Sequence, residues 1–198
     1  LFRSYEIIEY GQLDYHQSFS LYALKHKNWQ TGRPIALVTG GVHGYETSGV
    51  HGALAFADTV SQSLSETFNI LVVPCVSPWG YETINRWNPH AIDPNRSFYE
   101  GSQADEAQHL LDFIAPFSSD ILVHVDLHET TDTDNSQFRP ALAARDGVVN
   151  HNWNIPDGFY LVADALRPQP KFQEAIIGAV SKVTHIAPAE DKQQLIGV

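Results

Sequence analysis

Methionine is absent from this chain and cysteine occurs once, as Cys75 in the apolar run Ile70 to Val76. No intrachain disulfide can form, which favours a reducing, cytoplasmic compartment, and Cys75 reads as a small buried residue. Positive charge is scarce as well: 12 Lys and Arg stand against 23 Asp and Glu, a formal charge of -11. That balance repels polyphosphate and anionic lipid, so nucleic acid and a membrane surface are excluded as partners. No apolar run nears the roughly 18 to 20 residues of a membrane span. Repeats and low-complexity tracts are also missing. What remains is 198 residues, 43% apolar and 18% charged, which suits one sizeable core. The start at Leu1 and the stop at Gly197-Val198, directly after the apolar Leu195-Ile196, lead us to expect one catalytic-type domain over 1–198, truncated at its C-terminus.

Hydrophobic patterning gives the order of elements. Tyr5 to Tyr10 and Phe19 to Leu24 have the β-branched and aromatic character of strands, separated by a polar segment with Gly11. Ile35 to Thr39 is a buried strand, and Val50, Leu54, Ala57 and Val60 recur at helical spacing across Glu46 to Val60. Phe68 to Val76 is apolar throughout, as expected of a strand buried on both faces in a parallel pairing. Ser77 to Phe98, rich in Pro, Gly, Asn and Trp, reads as a long ordered loop of the kind that carries function, with Trp79, Tyr81 and Trp87 lining a substrate mouth or forming the loop's own core. A helix over Ala104 to Phe117 and a strand over Ile121 to His128 follow. Beyond them come a loop over Val148 to Gly158, a short strand at Phe159 to Ala163 and a proline-started helix over Pro170 to Val180. The pattern predicts an α/β fold: a three-layer arrangement of a twisted, mostly parallel mixed sheet with helices on both faces.

The chemistry gathers at strand ends. Gly40-Gly41-Val42-His43-Gly44-Tyr45-Glu46 follows the strand at Ile35 and sets an imidazole and a carboxylate three residues apart around a turn. Two ligands do not hold a catalytic zinc, which takes three and keeps a position open. His128 closes another buried strand and would emerge at the same sheet edge, where open α/β folds place their sites. His124 shares its face but lies deeper.

His43-Gly44-Tyr45-Glu46, Asp93-Pro94-Asn95-Arg96-Ser97-Phe98 and Asp126-Leu127-His128 together resemble the three signatures of the zinc carboxypeptidase superfamily. The spacing and wording are most similar to its succinylglutamate desuccinylase and aspartoacylase branch, over about Ile35 to Glu129. The resemblance implies one Zn2+ held by His43, Glu46 and His128, with a coordination position left for water and for a substrate carbonyl. It implies Asp93 as the carboxylate behind the first histidine, and Asn95 with Arg96 as the grip on a substrate carboxylate. Arg86 lies where the family carries an oxyanion-stabilising arginine; an exposed arginine stacked on Trp87 is the other reading.

The resemblance also requires a glutamate general base downstream of His128. Glu129 adjoins the ligand, Glu174 sits on the polar side of a helix and Glu190 in a turn, so the base is expected beyond Val198. The expected function is zinc-dependent hydrolysis of an amide bond adjacent to a free carboxylate, as in a metallocarboxypeptidase. The alternatives are an N-acyl amino acid deacylase and a zinc-binding but inactive module for a peptide carboxylate. The substrate is thus a peptide or an N-acyl amino acid. The scarcity of arginine and the acidic run Glu129 to Asp134, solvated or facing a cationic substrate group, lean toward a peptide. The oligomeric state does not follow from the sequence.

Overall fold

The computed structural model describes residues 2–151 and 153–189. The chain divides into two compact units, Leu1–Glu129 and Thr130–Val198. The first is built on a mixed sheet of strands β1 (Tyr5–Asp14), β2 (Ser18–His26), β3 (Ile35–Gly40), β4 (Asn69–Val73) and β5 (Ile121–Leu127). Their spatial order is β1-β2-β4-β3-β5. The three strands β4, β3 and β5 run parallel, and β2 joins β4 antiparallel and carries the hairpin to β1. Helices α1 (Thr47–Asp58), α2 (Ser61–Leu64), α3 (Pro78–Thr83) and α4 (Asp105–Ile114) fill the connections.

Alternation along the strands explains how two helices cover two faces. Ala36 and Val38 of β3 and Ile70 and Val72 of β4 pack with Ala53 and Ala57 of α1. Their neighbours Ile35, Leu37, Leu71 and Val73 pack with Leu110 of α4 on the other face. Each fully buried aliphatic side chain contributes roughly 1.5–3 kcal/mol, and β3 is buried at every residue, so this strand is the most firmly seated element near the site.

One irregularity aims the site. Ile35 pairs with Ile121 but Ala36 pairs with Val123, so β5 carries one extra residue, Leu122, which is 68% exposed. A bulge of this kind reverses the facing of everything after it. His124 and Asp126 thereby pair with Leu37 and Thr39 on the α4 face instead of turning toward α1.

Several expectations need correction. The polar segment around Gly11 belongs to β1, with a register shift between Glu9 and Gly11 that absorbs it. Ser77 to Phe98 contains helix α3, started by Pro78, and a 3-10 turn at Pro94–Arg96, because a proline at the first helical position provides a start that periodicity over six residues cannot show. Trp79 is half-buried and packs against the Leu13, Phe19 and Leu21 cluster. The apolar run at Phe68 is strand only over Asn69–Val73. Cys75, past its end, is half-buried.

In the second unit, helices α5 (Arg139–Asp146) and α6 (Pro170–Val180) are formed. The expected strand at Phe159 is reduced to one parallel bridge between Phe159 and Ile186. Glu190 lies outside the described residues. Among the described residues no helix is long and apolar enough to cross a membrane.

Candidate metal centre

Chain direction brings the three predicted ligands together. β3 and β5 are parallel neighbours, so the chain leaves both at the same edge. After β3 the backbone closes a tight turn in which the Glu46 N–H bonds the His43 carbonyl at 3.1 Å, and Glu46 becomes the residue preceding α1. Two glycines allow this closeness. A Cβ on Gly49 would stand 2.2 Å from the Leu127 carbonyl oxygen, and one on Gly44 would stand 2.0 Å from the backbone of Gly80. The first turn of α1 therefore rests directly on the end of β5, and Glu46 meets His128.

The ligand atoms of His43, Glu46 and His128 lie within 4.8 Å of one another. His43 and Glu46 are 1% and 3% exposed, whereas the His128 side chain is 31% accessible, so the group opens on the His128 side. Nδ1 of His43 is 2.7 Å from Glu46 Oε1, and Nδ1 of His128 is 2.7 Å from Glu46 Oε2. Each far nitrogen faces a carboxylate: His43 Nε2 is 2.9 Å from Asp93 Oδ1, and His128 Nε2 is 2.7 Å from Asp126 Oδ2. Carboxylates at both Nε2 atoms fix the proton there and leave both Nδ1 lone pairs for a cation. Two imidazoles and one carboxylate match a catalytic zinc donor set. The residues present fit the metal that the sequence implies.

Arg86 is enclosed, with 14% of its side chain accessible, so the stacked surface arginine is not what forms. Its Nη1 lies 3.4 Å from Glu46 Oε1 and donates to the Tyr45 hydroxyl at 3.1 Å, while its Nε lies 3.4 Å from Asp93 Oδ2. Asp93 heads the 3-10 turn that carries Asn95 and Arg96, and its Oδ1 accepts from the Asn95 N–H at 3.0 Å. Asn95 is half-buried and Arg96 exposed, so the site and its arginines share one support.

The electrostatics follow from these contacts. Burial would raise the Glu46 carboxyl, but hydrogen bonds from His128 and His43 outweigh it and hold the group at about 2. Asp93 is held at about 2 in the same way, against its burial, by His43 and by the charges of Arg86 and Arg96. For His128, desolvation would lower the pKa, yet Asp126 and Glu46 push it up to about 10. Desolvation is the largest single influence, and the two carboxylates prevail because their hydrogen bonds and charges act together. Without a cation His128 holds a proton on the side that faces Glu46.

Two participants lay beyond the sequence reading. Asp126, quoted there only as part of a motif, is the carboxylate behind His128; the spacing of two along a strand, which puts both on one face, was the available signal. Glu129 neither sits free nor belongs to a solvated acidic loop. Its N–H bonds Glu46 Oε2 at 3.0 Å and its Oε2 accepts from the Ser48 N–H at 3.1 Å, which caps α1 in place of a Glu46 side chain turned to the histidines. Asp134, at the end of that acidic run, is buried and accepts from the Thr131 N–H at 3.0 Å.

Residues 33–150 match the succinylglutamate desuccinylase/aspartoacylase catalytic domain. The chain belongs to this family. Among solved structures it is similar to a candidate metallopeptidase from Shewanella amazonensis, at 22% identity and a TM-score of 0.66, over 94% of this chain and 64% of that one. A candidate metallopeptidase from Shewanella denitrificans gives 19% identity and a TM-score of 0.67, over 95% and 62%. Bovine thrombin-activatable fibrinolysis inhibitor, solved with tick carboxypeptidase inhibitor, gives 17% and 0.51, over 65% and 55%. These identities speak for the fold alone, and the chain spans under two thirds of the length of these proteins. No curated protein matches it. Membership of the family makes the chain a relative of hydrolases, and the α/β fold with its open mixed sheet is the one expected.

Proposed function

We propose that residues 1–198 act as one catalytic-type domain of a zinc-dependent hydrolase that cleaves an amide bond next to a free carboxylate. The observation that carries this reading is the convergence of His43 Nδ1, His128 Nδ1 and the Glu46 carboxylate, with an aspartate behind each imidazole. Zinc held there would supply an acidified water and a Lewis acid for the substrate carbonyl. The remaining roles fall to side chains of this chain. Asp93 and Asp126 retain the Nε2 protons, which keeps both Nδ1 atoms aimed at the centre. Arg86, at 3.4 Å from both Glu46 and Asp93, brings the positive charge that stabilises a developing oxyanion. The exposed guanidinium of Arg96, with Asn95 beside it, grips the substrate carboxylate.

The leaning is toward a C-terminal peptide, since arginines to hold a small dianion are few. The match to the desuccinylase/aspartoacylase domain favours the second reading, an N-acyl amino acid substrate. One experiment covers both. The wild type and His128→Ala are dialysed, metal per chain is measured by mass spectrometry, and the zinc-loaded protein is offered C-terminally free peptides and N-acetyl and N-succinyl amino acids. About one zinc per chain, lost in the variant, with amine released from one substrate set, is the expected result. No zinc in the wild type after reconstitution refutes the reading. Zinc without hydrolysis of either set leaves the non-catalytic carboxylate-binding module.

A further inference from the structure

We propose that Thr39, on β3, is a positioning residue of the metal centre, acting through Asp126 on His128; the inference rests on the metal-centre reading above. Thr39 is 1% exposed and pairs with Asp126 across the β3–β5 ladder. Its Oγ1 lies 2.6 Å from Asp126 Oδ1 and 2.8 Å from His124 Nε2. An ionised carboxylate can only accept, so the single hydroxyl proton of Thr39 goes to Asp126. The hydroxyl oxygen must then accept from His124, whose proton is thereby fixed on Nε2. Asp126 spends its other oxygen on His128 Nε2–H at 2.7 Å. The directions are fixed along the whole line: His124 to Thr39, Thr39 to Asp126, and His128 to Asp126.

The two histidines of the centre differ in what holds them. The His43 side chain is 2% accessible and packing restrains it, and its partner Asp93 is anchored by Asn95 N–H and by Arg86. His128 follows β5, which among the described strands pairs only with β3, and its side chain is 31% accessible. Asp126 is itself 25% accessible, and among the described hydrogen bonds its one anchor besides His128 is the Thr39 hydroxyl. Without that anchor the carboxylate is free to rotate toward water, and the imidazole it orients turns with it. Thr39 supplies from the buried strand the rigidity that the outer strand lacks.

Thr39→Val keeps the shape and removes the donor, while Thr39→Ser keeps the donor. Zinc affinity is measured by competition with a chromophoric chelator, and Tm is measured on the metal-free proteins. Loss of an outer partner of a ligand typically costs 10–100-fold in metal affinity. We expect Thr39→Val to weaken zinc binding about 10-fold, Thr39→Ser to stay within about 3-fold of wild type, and Asp126→Asn to lose at least as much as Thr39→Val. Because Thr39 acts through Asp126, adding Thr39→Val to Asp126→Asn should cost no further affinity. A purely structural role would lower the metal-free Tm and give additive losses in the double variant. Zinc binding by Thr39→Val at wild-type strength, or additive losses, overturns the proposal. Should Val prove unfoldable at this buried position, the comparison of Thr39→Ser with Asp126→Asn decides: loss in Ser equal to that in Asn also overturns it. A wild type that binds no zinc removes the metal centre itself and is told apart by that.

Discussion

Asp93→Asn isolates one charge at the centre of the site without changing its shape. In the folded protein Asp93 Oδ1 accepts two hydrogen bonds, from His43 Nε2 at 2.9 Å and from the Asn95 N–H at 3.0 Å. An asparagine must therefore keep its oxygen at that position, which sends its amide nitrogen to the place of Oδ2. There it meets Arg86 Nε at the 3.4 Å now spanned by an ion pair, so donor faces donor. The variant loses the anion that makes His43 a strong ligand and sets Arg86 against its new neighbour. The expected loss in zinc affinity lies toward the upper end of the 10–100-fold range, about 2–3 kcal/mol. Replacing Arg86 removes the donor–donor clash, so Asp93→Asn should cost less in an Arg86→Ala background, and a double-mutant cycle reads that difference. Chelator competition at fixed pH, with far-UV circular dichroism to verify folding, is the assay. A dissociation constant within threefold of wild type would show that neither the charge nor the orientation of Asp93 supports the centre.

Three further outcomes follow from the same geometry. Glu46, at about 2 against an ordinary 4.5, stabilises the metal-free fold above pH 4.5 and loses that contribution as pH falls toward 2. His128, raised to about 10 from 6.5, contributes fully below pH 6.5 and loses it as pH climbs toward 10. Metal-free Tm should therefore peak near pH 5–6.5 and fall on both sides, whereas saturating zinc, which needs His128 deprotonated, should reverse the alkaline fall; a flat profile contradicts the assigned contacts. Gly49→Ala places a Cβ 2.2 Å from the Leu127 carbonyl oxygen, so α1 must move from β5, and we expect about 2–4 kcal/mol of lost stability together with weakened zinc binding, read by urea titration and chelator competition. Burial pushes the Cys75 thiol up to about 12, so iodoacetamide at pH 8 should label it slowly until denaturant is added; rapid labelling of the native protein would place Cys75 differently.

Local rules were enough for the parallel strands and for the candidate ligand group. Buried runs at Ile35 and Ile70 became parallel strands because residues apolar at every position need cover on both faces, and α1 and α4 provide it; the strand at Ile121, expected to be buried, is an outer strand with no fully buried residue. His43, Glu46 and His128 were legible because strand ends followed by polar side chains collect at one edge of a parallel sheet. Helix α3 was not, since its start lies in the fixed φ of Pro78 and not in any period. The partners of the ligands depend on register and rotamer. Thr39 stands behind Asp126 only because the extra residue at Leu122 turns that stretch of β5 to the α4 face. Arg86 is drawn inward by Asp93 and by Glu46, the latter 40 positions away in the chain, and Glu129 becomes a helix cap because Glu46 has been turned to the histidines. Sequence by itself determined which residues could bind a metal, since donor chemistry belongs to the side chain. Tertiary structure decided how protons, charges and hydrogen bonds are shared between the strands, because contacts such as His43 to Asp93 and His128 to Glu46 are distances of about 3 Å between residues far apart in the chain.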